Sequence, residues 1–119
     1  MSSTAKLLVV DDEPINRELL QVTLAPLDCT IQTAESGEEA LEAMKTFAAD
    51  VVLLDVMMPG MTGFEVCRQI RQNPALRDVT VIMITALDDR QSKITGLEAG
   101  ADEFLSKPID RMELLTRLN

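Results

Sequence analysis

The chain has 119 residues, 46% of them hydrophobic, and this length and composition predict one folded domain rather than a disordered segment. Twenty acidic residues against 11 basic ones give a net charge of −9, which argues against direct nucleic-acid binding because such binding depends on neutralising phosphates. The absence of histidine excludes a Ser-His-Asp triad, a Cys-His pair and the usual zinc sites, so any metal would be held by oxygen atoms.

Neither a membrane span nor a secretion signal is visible in the sequence. No run of about 20 apolar residues occurs, and residues 1–6 are too few and too polar for a signal peptide. We therefore expect a cytoplasmic location and no membrane partner. Cys29 and Cys67 lie far apart in segments predicted to be buried, and we interpret them as small core residues rather than a disulfide or metal pair.

Five short runs of mainly apolar residues are predicted to be strands. They cover residues 6–10, 29–34, 50–55, 79–85 and 103–105. The first, third and fourth runs are almost wholly apolar, which is typical of parallel strands covered on both faces. The second run mixes polar and apolar residues, and this mixture favours a position at the edge of the sheet.

Helical patterns fill the first three intervals between these strands. Pro14 suits the first turn of a helix, where a backbone N–H is not needed. The apolar residues along one side of this helix are Ile15, Leu19, Val22 and Leu27. Capping-box patterns at residues 36–39 and 62–65 begin a second and a third helix, and Asn73-Pro74 ends the third.

Two further helices are predicted in the last third of the chain. The fourth is expected over residues 89–99, with Gly100 as its stop, and the fifth begins at residues 110–113. Three methionines fit the core-facing stripes of the predicted elements, namely Met44, Met83 and Met112.

This alternation of strand and helix predicts an α/β fold with an open, doubly wound, five-stranded parallel sheet and five helices. Right-handed crossovers place helices on both faces, and the chain is too short for an eight-stranded barrel. We expect the strand order 2-1-3-4-5, because it places the polar second strand at an edge. Ligands of such folds bind beyond the carboxyl ends of the strands, where the strand order reverses.

Reactive side chains follow the predicted strands at that edge. They are Asp11, Asp12 and Glu13 after the first strand, Asp55 at the third, Thr85 at the fourth and Lys107 after the fifth. Clustered carboxylates repel one another unless a cation lies among them, and Mg²⁺ is typically bound by one or two carboxylates. Acid, metal, hydroxyl and ammonium together suit a phosphoryl group, and one carboxylate can act as the nucleophile.

Each of these residues has an ordinary interpretation when taken alone. An acidic triplet such as residues 11–13 more often caps a helix than binds a ligand, and Asp55 before Pro-Gly suits a turn. The joint pattern is more specific, since the fold brings every one of these strand ends together.

Five segments of the chain together resemble the receiver domain of two-component response regulators. They are residues 8–12, 53–63, 84–86, 96–102 and 105–108, and the resemblance extends over essentially the whole chain. It implies a CheY-like, flavodoxin-like fold. It also implies a signalling module that accepts a phosphoryl group from a histidine kinase or histidine phosphotransfer protein, and not an enzyme beyond its own phosphorylation and dephosphorylation.

The resemblance implies an acceptor and a metal site at the acidic edge. Asp55 is the expected phosphoacceptor. Asp12, the Asp55 carboxylate and the backbone carbonyl of Met57 are expected to bind Mg²⁺, with Mn²⁺ as the alternative, and Asp11 is expected to act mainly through water.

The resemblance also implies contacts to the phosphoryl group. Lys107, joined to Pro108 by a cis peptide bond, is expected to pair with phosphoryl oxygens. The Thr85 hydroxyl and the amides of Ala86 and Met57 are expected to contact the same group.

The conformational switch is expected to couple Thr85 to the aromatic residue Phe104 and to remodel the face made by the fourth helix, fifth strand and fifth helix. Phe104 stands where many relatives have tyrosine, so its ring has no hydroxyl to donate. Met57 and Leu87 are apolar at positions that tune dephosphorylation in the family, and we expect a slowly hydrolysed phosphoryl group.

The partners implied by the resemblance are a separate phosphodonor, an output domain and a second copy of the chain. The donor would dock near Asn16 and Leu20 of the first helix. We expect residues 1–119 to be the receiver part of a longer regulator, with an output domain beyond Asn119. Residues at positions where some relatives form a homodimer are Lys93, Asp102, Glu113 and Arg117.

Three other classes of protein remain as alternatives. A haloacid dehalogenase-type phosphatase would need an acid two residues after Asp55, where this chain has Met57. A flavin carrier would need stacking aromatic residues, but the chain has three Phe, no Trp and no Tyr. A degenerate receiver that serves only for protein contacts would not need the complete set of acidic, hydroxyl and lysine residues.

Overall fold

A five-stranded sheet with strand order 2-1-3-4-5 organises the computed structural model, which describes residues 5–86 and 90–118. All neighbouring strands run parallel, so the predicted topology is confirmed. The strands are β1 (Ala5–Val10), β2 (Cys29–Ala34), β3 (Val51–Asp55), β4 (Thr80–Thr85) and β5 (Glu103–Ser106). Every strand end lies within one residue of its predicted position.

The helices alternate with these strands as predicted. They are α1 (Pro14–Leu24), α2 (Gly37–Ala43), α3 (Gly63–Gln72), α4 (Arg90–Ala99) and α5 (Arg111–Leu118). The expected start of the fourth helix at position 89 lies outside the described residues. No helix in the described part of the chain is long and apolar enough to cross a membrane.

The two faces of the sheet are covered by different helices. Alternate residues of β1 point to opposite sides, so Leu8 belongs to one core cluster and Leu7 to the other. The first cluster packs against α2, α3 and α4, and the second packs against α1 and α5. Each fully buried aliphatic side chain contributes about 1.5–3 kcal/mol, so these two layers hold the sheet in place.

The apolar stripe predicted along α1 does not face the core. Ile15, Leu19 and Val22 are 73%, 60% and 67% exposed, whereas Leu20 and Leu24 are buried at 5% and 0%. Residues four apart share one face of a helix, and the sheet lies against the face that carries Leu20 and Leu24. Apolar residues therefore occupy two sides of α1, and only one of these sides is packed.

The predicted core position is confirmed for two of the three methionines. Met44 and Met83 are buried at 5% and 0% exposure, but Met112 is 71% exposed and its core assignment is wrong. Helix α5 contacts the sheet through Leu114 and Leu118. Met112 precedes Leu114 by two residues and so lies about 200° around the helix from it.

The prediction that both cysteines are buried core residues is confirmed for Cys67, whereas Cys29 is only partly buried. Cys67, on α3, is fully buried in the core, whereas Cys29 is half-buried on the edge strand β2. Both are free thiols.

Local capping signals set several helix ends. Thr62 and Glu65 form the reciprocal capping box expected at α3. At α2 the Ser36 hydroxyl accepts from the Glu39 amide, but the Glu39 carboxylate accepts from the amide of Glu35 and not from that of Ser36, so half of the predicted box is absent. Gly100 stops α4 as predicted, with φ +107°, and the hydrogen bonds at this end form a Schellman turn.

Candidate functional site

The carboxyl ends of four strands place polar side chains at one edge of the sheet. The buried polar residues of the described part of the chain are Asp11, Asp55 and Thr85, which are 3%, 3% and 0% exposed. They follow β1 or end β3 and β4, and Lys107 follows β5. The parallel order of these strands is what collects residues separated by up to 96 positions.

The start of α3 packs against the backbone of Asp55 and Val56. The Gly63 amide donates to the Val56 carbonyl at 2.9 Å. A Cβ atom at Gly63 would lie 2.5 Å from the Asp55 carbonyl oxygen, so only glycine permits this close approach. The helix start therefore fixes the backbone of the buried carboxylate, a role for Gly63 that the sequence analysis did not assign.

Lys107 joins the two buried aspartates. Its ammonium lies 3.3 Å from Asp55 Oδ1 and 3.5 Å from Asp11 Oδ2. Its backbone amide donates to the Thr85 carbonyl at 2.8 Å, and its peptide bond to Pro108 is cis, as the resemblance implied. Strand pairing between β4 and β5 thus carries the lysine to the acidic residues.

The Asp55 carboxylate is incompletely satisfied. Its Oδ1 atom is buried and has no hydrogen-bond partner, although the Lys107 ammonium lies 3.3 Å away. Burial, followed by the negative charge of Asp11, raises the pKa of Asp55 from 3.8 to about 6, while Lys107 and the Met57 amide act in the opposite direction. Burial alone would lower the pKa of Lys107, but the charges of Asp55 and Asp11 outweigh it and raise that pKa.

Three carboxylates meet at this edge. One carboxylate oxygen from each of Asp11, Asp12 and Asp55 lies within 4.8 Å of the others. An all-oxygen donor set with excess negative charge and an orphaned buried oxygen fits a hard divalent cation such as Mg²⁺ or Mn²⁺. The residues present therefore fit the metal expected from the sequence.

Glu13 does not join the acidic cluster. Its side chain is exposed, and its amide donates to Asp11 Oδ1 at 3.0 Å. Glu13 is the N-cap residue of α1 but makes no side-chain capping hydrogen bond. The ordinary interpretation of this acidic triplet as a set of caps is therefore not supported, since Asp11 turns its carboxylate inward and Asp12 adds its own to the cluster.

The remaining predicted contacts surround the carboxylates. Met57 is 59% exposed, and Ala86, directly after buried Thr85, is exposed as well. The side chain of Phe104 is half-buried and packs on α4, where a Cβ atom at Gly96 would lie 2.8 Å from its Cε2 atom. Leu87 lies outside the described residues.

A family model described as "Response regulator receiver domain" matches residues 7–119 of the chain. The chain belongs to the response regulator receiver family. Response regulator PleD of Caulobacter vibrioides is 46% identical over 115 residues, which are 97% of this chain and 25% of that relative. The probable transcriptional regulator ycf27 of Cyanidium caldarium is 46% identical over 112 residues, covering 94% of this chain and 44% of the relative.

Solved structures of similar proteins have the same fold as this chain. Chemotaxis protein CheY4 of Vibrio cholerae matches with a TM-score of 0.92 and 34% identity, covering 98% of this chain and 97% of that one. Response regulator DrrB, described as a Thermotoga maritima OmpR/PhoB homolog, matches with a TM-score of 0.84 and 35% identity, covering 98% of this chain and 51% of that one. The receiver domain spans from about a quarter to half the length of the curated relatives it matches.

The residues expected at the donor-docking and dimer surfaces differ in their exposure and in their contacts within the chain. Asn16 lines a groove of about 420 Å³ beside Asp11 and Lys107, but Leu20 is buried at 5% exposure and offers little surface. Asp102 is engaged within its own chain, since its Oδ2 lies 2.8 Å from Arg71 Nη2. Lys93, Glu113 and Arg117 lie on α4 and α5, and Arg117 Nε is 3.7 Å from Glu103.

Proposed function

We propose that this receiver domain accepts a phosphoryl group on Asp55 in a Mg²⁺-dependent reaction with a histidine kinase or phosphotransfer protein. The observation that carries the proposal is the buried Asp55 carboxylate, which has an orphaned oxygen, a lysine ammonium at 3.3 Å and two neighbouring carboxylates. A carboxylate that only stabilised the fold would be expected to have its hydrogen-bonding capacity filled.

The cation would be held by the side chains of Asp12 and Asp55 and by the Met57 carbonyl, with Asp11 acting mainly through water. When bound, it would neutralise the carboxylate cluster and the charge of an incoming phosphoryl group. The residues 11, 12 and 55 already converge, so little rearrangement of the chain is needed to form the site.

Asp55 is the nucleophile in this proposal. One of its oxygens forms a bond to phosphorus while the bond from phosphorus to the donor histidine nitrogen breaks, and the electron pair leaves with that nitrogen. The pKa of about 6 leaves Asp55 mostly ionised at neutral pH, as a nucleophile requires. Lys107 is positioned to pair with phosphoryl oxygens, and the Thr85 hydroxyl and the Ala86 and Met57 amides complete the contacts.

The output of phosphorylation is a shift between two conformations. We infer that Thr85 moves toward the phosphoryl group and that Phe104 changes its packing against α4, so that the α4–β5–α5 surface is altered. Gly96 leaves room for the ring of Phe104, which makes the helix surface sensitive to where that ring lies. A phosphoryl group biases this equilibrium only by binding one conformation more tightly.

Partners of the domain follow from its exposed surfaces. Leu19, which is exposed on α1, lines the groove beside Asp11 and Lys107, and this apolar surface suits docking of the phosphodonor. An output domain beyond residue 119 and a homodimer through Lys93, Asp102, Glu113 and Arg117 extend the same proposal. Asp102 and Arg117 already pair within the chain, with Arg71 and Glu103 respectively.

The first test is an intact-mass measurement after incubation with acetyl phosphate and Mg²⁺. The parent should gain one phosphoryl group, whereas Asp55→Asn, or the parent with EDTA, should gain none. An equal gain in Asp55→Asn would place the acceptor elsewhere. No gain in the parent under any condition would favour the alternative of a degenerate receiver used only for protein contacts.

A further inference from the structure

We propose that Arg17 is a positioning residue for the cation site, acting by fixing the peptide that joins Asp11 to Asp12. The inference rests on the proposed metal-dependent function. Arg17 lies on α1, outside the acidic cluster, and it contacts the backbone of the cluster and none of the cluster's carboxylates.

The contact of Arg17 is short and shielded from water. Its Nη1 atom donates to the Asp11 carbonyl oxygen at 2.7 Å, and its side chain is only 14% exposed. Its Nη2 atom lies 3.9 Å from the exposed carboxylate of Glu35 in the β2–α2 connection. A charged donor to a poorly solvated carbonyl is among the stronger hydrogen bonds in proteins, so this contact can set the direction of a peptide group.

The other polar atoms of Asp11 are fixed by different elements. Its amide donates to the Ala34 carbonyl at 3.2 Å, its Oδ1 accepts from the Glu13 amide at 3.0 Å, and its Oδ2 accepts from Lys107 at 3.5 Å. Arg17 supplies the contact to the carbonyl. Asp11 is thus held at four polar atoms. Arg17 holds its carbonyl oxygen, which belongs to the peptide group that joins Asp11 to Asp12.

The direction of the Asp12 side chain depends on the orientation of this peptide group. The Asp12 side chain is half-buried, yet it makes no hydrogen bond or ion pair with any described residue. Its direction toward Asp11 and Asp55 is therefore set by its backbone. Since the Asp11 carbonyl belongs to the peptide group that precedes Asp12, rotation of that group would swing the Asp12 carboxylate out of the 4.8 Å cluster.

The positive charge of Arg17 weakens cation binding, whereas its positioning of Asp12 strengthens it. A guanidinium close to the cluster repels Mg²⁺, so loss of charge alone would make Mg²⁺ bind more tightly. Loss of positioning would make it bind more weakly. The sign of the change in Kd therefore separates the two roles, and a purely structural role would lower thermal stability without changing Kd.

The experiment is a Mg²⁺ titration of the parent and variants at pH 7.5, followed by NMR amide shifts, which also report folding. Arg17→Ala should raise the Kd for Mg²⁺ about tenfold, at the low end of the effects seen when support of a metal ligand is removed. Arg17→Lys, which keeps the charge and a donor, should recover part of the loss. Arg68→Ala, which removes an exposed arginine on α3, should leave Kd unchanged.

A Kd for Arg17→Ala equal to or below that of the parent would overturn the proposal. If Arg17→Ala does not fold, Arg17→Gln takes its place, and failure of both to fold would assign Arg17 to folding instead of positioning. As a second readout, Arg17→Ala should need more Mg²⁺ for half-maximal phosphorylation by acetyl phosphate, with an unchanged rate at saturating Mg²⁺.

The outcomes for the two proposals are distinct. A parent that binds no Mg²⁺ and gains no phosphoryl group would contradict the proposed function. A parent that does both, beside an Arg17→Ala variant with the parental Kd, would contradict only the positioning role.

Discussion

At the scale of single residues, Asp55 shows how a site is built at the expense of stability. The carboxylate is buried beside Asp11, and its Oδ1 atom accepts no hydrogen bond. Burial and the charge of Asp11 raise its pKa to about 6, so the folded state binds a proton here more tightly than the unfolded chain does. The stability from this group is therefore present below pH 4 and is lost as the pH rises through 6.

The variant Asp55→Asn should consequently be more stable than the parent in EDTA at pH 7.5. At ~1.4 kcal/mol per pKa unit, discounted for solvent screening, we expect a gain of about 1–2 kcal/mol, measured by urea denaturation. The gain should shrink near pH 4.5, where the parent carboxyl is protonated. Asp28→Asn, at an exposed site, serves as the control, and an Asp55→Asn variant less stable than the parent at pH 7.5 would contradict the prediction.

A second prediction at the residue scale is that Met57 influences the lifetime of the proposed phosphorylated state. Its side chain is 59% exposed beside the acceptor and has no group that can orient a water molecule. Met57→Asn supplies such a group and should shorten the half-life of the phosphorylated domain by at least about threefold, because a positioned water attacks phosphorus faster. The decay is followed by intact mass after the phosphodonor is removed.

Met112→Asn provides the matched control for that measurement, since Met112 is also exposed but lies on α5. It should leave the half-life unchanged. A parent that loses its phosphoryl group as quickly as Met57→Asn would show that hydrolysis does not depend on this position.

At the scale of elements, Arg71 ties α3 to the end of α4. Its guanidinium donates to the carbonyls of Gly100, Arg77 and Val79 and to the carboxylate of Asp102. Its aliphatic stem fills the space where a Cβ atom at Gly100 would lie, 2.6 Å from Arg71 Cγ. Helix α4 buries only the small residues Gly96 and Ala99, so we expect the hydrogen bond from Arg71 to Gly100 at its end to add to its attachment.

Arg71→Ala should therefore destabilise the domain by about 2–4 kcal/mol, since several part-buried carbonyls and a carboxylate lose their donor together. Arg71→Lys should restore little of this, because one ammonium cannot reproduce the planar fork. Urea denaturation measures both variants against Arg68→Ala, an exposed arginine of the same helix. Full stability of Arg71→Lys would show that charge alone holds α4.

At the scale of the whole molecule, the strand order decides which residues meet. The order 2-1-3-4-5 sets β3 between β1 and β4, so the ends of these strands lie side by side with Asp55 in the middle. The net charge of −9 adds to the negative potential at this edge. A cation that binds only the folded state would then stabilise the entire domain.

Mg²⁺ should raise the midpoint of thermal unfolding of the parent. At a free concentration of ten times Kd the stabilisation is about 1.4 kcal/mol, which corresponds to a shift of several degrees for a domain of this size. The shift should be much smaller in Asp12→Asn, and differential scanning calorimetry measures both. Equal shifts in the two proteins would indicate binding outside the acidic cluster.

Much of the fold follows from the sequence because local rules and global fold agree. Apolar runs bounded by turns predict the strands to within one residue, and the mixed second run predicts the edge position of β2. The residue types at strand ends also predict the cluster of Asp11, Asp55 and Lys107, since parallel strands necessarily bring their carboxyl ends together.

Tertiary structure alone decided which of two apolar sides of α1 is buried and that Met112 points to solvent. It alone placed Arg17 on the Asp11 carbonyl and Arg71 on Asp102, in contacts between residues 6 and 31 positions apart. Periodicity shows that a helix has an apolar side, but the direction of each side chain depends on how the helix lies on the sheet. The sequence therefore determined the elements and the chemistry of the edge, while packing determined the contacts that hold that chemistry in position.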